Sequence, residues 1–401
     1  MKGRFNVVIV GAGVTGLTIA ALLSQGQHSD RMRLTLVDAM ERPQYSADDD
    51  ITLRVSAIAN GSAALLERIG AWSAVRETRA CAFDRMRVWD ESSALESAET
   101  LRFDAAEFAV SQLGFIVENS LLRHAILGVL AAADIEFVFA SPIQALRQDG
   151  QRFCLQLDDA RELKADLIIG ADGAQSFIRQ SVAIGTHDWP YGQAAFVTHL
   201  RPEKPHRNTA WQRFLRNGPL GMLPLPDGRL SIVWTTTEEQ ADWAMSASEE
   251  ELGKSLSEAS DQVLGALTVA GPRGKFALVA RHAKHYVKSG IALIGDAAHA
   301  VHPLAGQGAN LGLQDAATLA DVVETALGNG EHPGDRPVLR RYERARKGAN
   351  AAMLHFMTGL NHLFATDLAL IGELRTTGMR LFNCSGPIRE HVAGVALGTE
   401  R

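Results

Sequence analysis

The sequence predicts an α/β fold: a Rossmann-like parallel sheet covered on both faces, interrupted by an inserted antiparallel sheet and followed by a helical C-terminal segment. Three observations predict it. Val7-Val8-Ile9-Val10 is apolar without alternation, as in a strand buried on both faces, and it enters Gly11-Ala12-Gly13-Val14-Thr15-Gly16 and an apolar helix from Leu17 to Leu23. A second buried strand, Asp166 to Gly170, enters Asp172-Gly173. A third, Ile291 to Ile294, stops at Gly295-Asp296 and gives way to a Pro- and Gly-rich loop that opens a helix.

In the first loop each glycine has its own task. Gly11 permits the tight turn, Gly13 lets the backbone approach a pyrophosphate, and Gly16 lets helix and strand pack closely. The next strand, Arg33 to Val37, ends in Asp38, about where a ribose-binding carboxylate belongs, which completes a Rossmann-like dinucleotide pattern. A polar loop, Tyr45 to Asp50, leads to Arg54; Asn119 begins a helix, where an ordinary N-cap is a second explanation for it. Ile135-Glu136-Phe137-Val138 returns to the parallel sheet. At the third strand, Asp296 suits a ribityl hydroxyl, and amides from the loop and helix start suit the electron-rich pyrimidine side of an isoalloxazine ring. Three distant segments are thereby expected to meet on one cofactor.

Between these segments the pattern changes. Phe196 to Leu200, Ala210 to Leu215 and Leu230 to Thr235 are short strand-like runs separated by turn residues, the signature of an antiparallel sheet, to which the region from Phe83 to Phe103 adds one or two strands. An acidic helix from about Ser248 to Leu267 reads as a solvated face. The expected division is residues 1–75, 115–185 and 286–335 for the nucleotide domain, 76–114 and 186–285 for the substrate domain, and 336–401 for the helical region. In the last, Met353, Phe356, Met357, Leu360, Leu363, Phe364, Leu368, Ile371 and Leu374 recur at helical spacing. That face meets either the protein's own core or a membrane surface or partner, and Arg340, Arg341, Arg344, Arg346 and Lys347 beside it are either solvated or suited to lipid phosphates.

Composition narrows the function classes. The chain has 401 residues, 46% of them hydrophobic, enough for a substantial core. Net charge is −6 and no long basic run occurs, so nucleic acid is not an expected partner. Cys81, Cys154 and Cys384 are too few and too scattered for a disulfide scaffold or structural zinc, and a reducing compartment is expected. His299 and His302 stand without a third ligand, so no metal site is expected. The chain enters its first strand at once, so no signal peptide is expected, and no apolar run reaches the ~20 residues of a membrane span. The expected location is cytoplasmic, with any membrane contact peripheral and on the inner face.

The three anchors, with His302-Pro303-Leu304-Ala305-Gly306-Gln307-Gly308-Ala309-Asn310-Leu311-Gly312, Gly218-Pro219-Leu220-Gly221-Met222-Leu223-Pro224-Leu225 and Tyr342-Glu343-Arg344-Ala345-Arg346-Lys347 with Asn350, resemble the single-component FAD-dependent aromatic hydroxylases of the p-hydroxybenzoate hydroxylase type. Within that group the chain most resembles the ubiquinone-biosynthesis hydroxylases, over nearly its whole length. The resemblance implies an FAD-dependent monooxygenase that hydroxylates the ring of a polyprenylated phenol with NADH or NADPH as a transient co-substrate and O2, through a flavin C4a-hydroperoxide. It also implies possible association with other enzymes of that pathway. Gly11, Ala12, Gly13 and Gly16 would then hold the FAD pyrophosphate and Asp38 the adenosine ribose. Arg54 and Asn119 would contact the cofactor, and Asp172, Gly173 and Arg179 would lie near the pyrophosphate and the visiting nicotinamide nucleotide. Asp296 would bind the ribityl chain, and Pro303, Gly306, Gln307, Gly308, Ala309 and Asn310 would run along the ring, with Pro303 and Gly306 where oxygen is activated.

No general base is evident among the four tyrosines. His199, Gln212 and Phe214 are the candidates for contact with the substrate ring, against plain packing or cross-strand roles. Three other functions stay open. A hydroxylase of a small aromatic acid needs a fixed cation in the pocket, which Arg213 could supply. A flavin-dependent prenyl reductase would use no O2, and a non-catalytic prenyl-lipid escort would bind no flavin.

Overall fold

The computed structural model describes residues 4–150, 152–300, 308–365 and 369–398. One sheet has six strands in the order Val287–Lys288, Ile291–Leu293, Leu167–Gly170, Phe5–Val10, Met32–Val37 and Ile135–Val138. All neighbours in it are parallel except the Val287–Lys288 pair at its edge. The central strands carry no alternation because both faces are covered: Val7, Ile9, Ile168 and Ile169 are fully buried, and helix Val14–Ser24 packs against helices Asn119–Leu130 and Gly308–Gly328. The carboxyl ends of three adjoining strands therefore lie side by side. Ala171 N–H donates to Val10 O (2.8 Å) and Ile294 N–H to Gly170 O (3.0 Å), so the loops that follow Val10, Gly170 and Leu293 start in register. The crevice outside such strand ends is where open α/β sheets bind ligands.

The second large sheet has eight strands in the order His299–Ala300, Leu267–Ala283, Thr186–Pro202, Leu230–Thr237, Gly218–Pro224, Thr209–Leu215, Arg85–Asp90 and Leu101–Asp104. It is antiparallel except where Arg85–Asp90 runs parallel to Thr209–Leu215. The period of two separates its faces. Phe196, Leu200, Leu220, Met222, Ile232 and Trp234 pack under the helices on one side, while Pro219, Gly221, Leu223, Val233 and Thr235 face a cavity on the other. The acidic helix is shorter than expected, Glu249–Ala259. A capping box between Ser248 and Glu251 starts it, and left-handed backbone at Asp261 and Gln262 ends it before the Leu267–Ala283 strand. It is more than a solvated face, since Leu252 and Leu256 are fully buried.

Two short contacts lace the sheets together. His299–Ala300, just beyond Asp296, pairs with Arg281 and His282 of the eight-stranded sheet. Val55–Ala59 forms a small sheet with Gly114–Glu118 and Cys81–Phe83 between the two large ones.

Helices Arg336–Ala365, Ala369–Cys384 and Pro387–Leu397 close the chain. The apolar face of the first divides. Met357 and Phe364 are buried with Val88, Phe214 and Met379, Phe364 stacking on Phe214 at 3.7 Å between ring centroids, whereas Phe356 is 51% exposed. Leu368 lies outside the described residues. The adjacent cations are largely engaged: Arg341 pairs with Glu331, Lys347 donates to Lys284 O, and Arg346 is drawn into the interior.

Gly16 tests how tightly the first helix is seated. A Cβ there would stand 1.9 Å from Gly11 O, backbone that has nowhere to move. Gly16→Ala is expected to cost about 3 kcal/mol or more, the upper range for overpacking, read as a lowered urea midpoint with an unchanged m-value.

Candidate active site

The first loop is built on steric necessity at two of its glycines. Gly11 has φ +107°, donates its N–H to Val37 O (2.8 Å), and would drive a Cβ to 2.3 Å from Ala171 O. Gly13 differs: a Cβ built there meets nothing within 4 Å, so this residue borders open space at the N-terminus of helix Val14–Ser24. An anion at that place would meet free helix-start amides. Asp38 fixes the loop by accepting from Ala12 N–H (2.6 Å) and Met40 N–H (2.8 Å). Opposite it, Arg123 Nε donates to Ala12 O (2.9 Å); burial lowers the Arg123 pKa while Asp38 supports its charge. Arg123 was not foreseen. Its signal was a lone cation among the apolar residues of Asn119–Leu130.

At the second loop Gly173 takes φ +79° and Asp172 Oδ2 accepts from Ile178 N–H (3.0 Å). The other carboxylate oxygen of Asp172 is buried with no partner among the described residues, and burial raises its pKa against the opposing bonds from Ser176 and Ile178. An orphaned acceptor of this kind calls for a hydroxyl or N–H donor from a ligand. Arg179 is 3% exposed and engaged within the protein, donating to Ala174 O (2.8 Å) and Ala297 O (2.9 Å). It ties the second loop to the third, a positioning role in place of a free cation.

The third loop turns at Gly295, φ +57°, and presents Asp296. The Asp296 side chain is accessible yet hemmed in by protein, and it has no hydrogen-bond partner among the described residues. Desolvation by the surrounding walls pushes its pKa up, against the pull of His299 and Arg54. Behind it lies a buried polar cluster. Asp315, fully buried on helix Gly308–Gly328, accepts from Gly295 N–H (3.1 Å), Arg346 Nε (2.8 Å) and Asn350 Nδ2 (3.0 Å), and lies 2.5 Å from His299 Nε2. Burial alone would raise the Asp315 pKa, but His299 and Arg346 outweigh it and hold the carboxyl below the usual range. Asp315 was also missed, although an Asp in helical register with Leu311 and Leu319 was its signal. His299 thus has a structural partner, and no metal-binding group of three ligands occurs among the described residues.

Gly308 and Ala309 open the 21-residue helix, and a Cβ on Gly308 would meet nothing within 4 Å. Asn310 clamps the Val55–Ala59 strand, accepting from Ala59 N–H (2.9 Å) and donating to Ala57 O (2.8 Å). Pro303, Gly306 and Gln307, with His302, lie outside the described residues. Arg54 is exposed, its guanidinium 5.7 Å from the Phe276 ring centroid, and its carbonyl accepts from Asn119 N–H (3.0 Å). Asn119 accepts from Ser56 Oγ (2.6 Å) and is no helix cap, since Glu118 occupies that position.

The cavity, of about 220 Å³, lies between the eight-stranded sheet and Val55–Ala59. Phe83, Met86, Phe103, Phe108, Leu113 and Leu223 line it, Val392, Ala393 and Leu397 of the last helix complete it, and among the described residues no charged side chain borders it. Of the three ring-contact candidates only Gln212 lines this space. Phe214 shares its strand face but is spent on Phe364, and His199 is fully buried elsewhere, both ring nitrogens unpartnered and its pKa lowered by desolvation and by Arg229. Arg213 points away, donating to Glu258 O (3.2 Å) and Ala259 O (3.1 Å) at the end of the acidic helix.

Residues 4–357 match the family described as FAD binding domain. The chain is 33% identical to 3-demethoxyubiquinol 3-hydroxylase of Escherichia coli (strain K12), over 98% of each chain. It is 35% identical to the ubiquinone hydroxylase UbiL of Rhodospirillum rubrum, over 98% of this chain and 90% of that one. Its fold is similar to that of p-nitrophenol 4-monooxygenase PnpA from Pseudomonas putida DLL-E4, with a TM-score of 0.77 at 17% identity and 99% of each chain covered. The open edge at Gly13, the orphaned Asp172 oxygen and the unpartnered Asp296 carboxylate fit the phosphates and hydroxyls of FAD.

Two outcomes follow from this geometry. Gly13→Asp and Asp296→Ala should leave the thermal midpoint of the apoprotein near wild type and lower bound flavin at least tenfold, measured by absorbance after gel filtration; full flavin content in both overturns the assignment. The second concerns His282, whose pKa burial, then His299, depresses to about 4 from 6.5. The unfolded chain takes up that proton first, so stability should fall as pH drops from 6.5 toward 4, by up to about 1.4 kcal/mol per pH unit, and His282→Gln should flatten that slope in urea titrations.

Proposed function

The chain belongs to the FAD-binding domain family, and on that premise we propose that it is a monooxygenase that hydroxylates the aromatic ring of a polyprenylated phenol in ubiquinone biosynthesis, with NAD(P)H as reductant and O2 as oxidant. The observation that carries this reading is the cavity: mostly apolar, free of charged side chains among the described residues, and walled on one side by the strand that Asn310 clamps. A small aromatic acid would need a fixed cation there, and Arg213 is committed elsewhere. A lipophilic phenol needs only apolar walls and few polar contacts.

Bound FAD supplies the redox chemistry and the activation of oxygen. The protein's share is binding, orientation and exclusion of water. Gly11 and Gly16 shape the turn so that Gly13 and the first amides of helix Val14–Ser24 are open to the pyrophosphate. Asp38 would meet the adenosine ribose, and Asp172 and Asp296 would accept from cofactor hydroxyls. The amides at Gly308 and Ala309 would offset negative charge on the reduced ring, as a helix N-terminus does. Gln212 would orient the phenol, and the apolar walls would keep water from the reacting carbon. Arg54 and Asn119 would flank the cofactor from the Val55–Ala59 side, and NAD(P)H would visit without a second nucleotide fold.

No helix among the described residues is long and apolar enough to cross a membrane. Exposed Phe356 and Leu381 on the terminal helices support peripheral contact with the inner face of the membrane, where such a substrate resides, and with other enzymes of the pathway. In the assay that decides, the purified holoprotein with a short-chain prenylphenol consumes NAD(P)H and O2 in equal amounts and yields a product heavier by one oxygen. Cells lacking the gene accumulate the unhydroxylated intermediate, seen by mass spectrometry. NAD(P)H use without O2 uptake would instead establish the prenyl reductase.

A further inference from the structure

Five glycines lie within the strands of the eight-stranded sheet, and four have a reason in the protein itself. Gly192 and Gly218 take φ +63° and +131°; a Cβ on Gly271 would meet His199 Cβ at 2.9 Å, and one on Gly274 would meet Leu53 Cδ2 at 2.7 Å. Gly221 has no such reason. Its φ is ordinary for any residue, and the nearest atom to a Cβ built on it is Val233 O at 3.7 Å, an unstrained contact. Glycine inside a strand gives up packing and conformational restriction, so this one weakens the sheet with no local return.

Its position supplies the return. Register sets Gly221 opposite Gln212 on one neighbouring strand and Val233 on the other, and all three line the cavity. Pro219 and Leu223 share its face, while Leu220 and Met222 point to the opposite core. The missing side chain leaves a flat area of peptide backbone in the cavity wall. At its edge stands the Gln212 carboxamide, which has no side-chain partner among the described residues.

We infer that Gly221 determines substrate specificity: it is the platform on which the aromatic ring lies, with the Gln212 carboxamide at its rim hydrogen-bonding a ring oxygen. This rests on the reading of the protein as a prenylphenol hydroxylase. A planar ring can lie against a bare strand, whereas any larger side chain at position 221 lifts it and fills the space that a phenol would take.

The test uses the holoprotein with Gly221→Ala and Gly221→Val, titrated with 2-geranylphenol and with 2-naphthol, binding being read from the flavin spectrum. Gly221→Val should keep its flavin and a thermal midpoint at or above wild type, yet bind both ligands at least about tenfold more weakly, with Gly221→Ala between. Wild-type affinity of Gly221→Val for both, a loss confined to 2-geranylphenol, or a lowered midpoint in both variants overturns the platform. If 2-naphthol binding weakens as expected while 2-geranylphenol binds to no form, the platform stands and the prenylphenol reading falls. Failure of both ligands to bind the wild type overturns both.

Discussion

One buried carboxylate organises the cofactor side of the molecule. Asp315 is fully buried and could not stay ionised there alone, since removing a charge from water costs several kcal/mol. Its four partners come from three places: the turn at Gly295, the short strand at His299, and Arg346 and Asn350 on the next helix. Because each must be present for the others to be satisfied, the cluster fixes the third loop relative to both helices, and with it the placement of Asp296. The Arg179 bridge from Ala174 O to Ala297 O extends this order to the second loop.

The cavity side is held by different means. There the sheet offers one face to the core and one to the cavity, whose described lining is mostly apolar and uncharged. Asn310 joins the two regimes: its side chain completes the hydrogen bonds of Ala57 and Ala59, whose strand is also a cavity wall. If the cavity takes the substrate as proposed, cofactor and substrate share a strand.

Much of this was legible in the sequence because the parallel strands are buried on both faces and end in loops with few chemical solutions. The strands at Val7, Leu167 and Ile291 and the glycines of the first loop belong to that class. The acidic helix was overextended because nothing in its composition marks the left-handed turn at Asp261 and Gln262. Arg123 and Asp315 escaped notice because a buried ion is recognised only once its distant partners are known. Phe214 and Gln212 alternate alike along one strand, and only the arrival of Phe364, 150 residues later, separates core packing from a place on the cavity wall. The Arg and Lys residues near the C-terminus looked like one surface cluster, yet Arg346 belongs to the interior.

The order of strands in the parallel sheet also has a consequence in time. Phe5–Val10 lies beside Leu167–Gly170, which lies beside Ile291–Leu293, so the crevice is assembled from pieces that leave the ribosome far apart. Its first loop is made at once but has no wall to face until Asp172 emerges, and the third loop is not anchored until Arg346 and Asn350 have followed. Such non-local pairing is slow to form and leaves apolar strands uncovered meanwhile. The nascent chain accordingly passes through most of its synthesis without a place for its cofactor, and cofactor capture becomes one of the closing events of biogenesis.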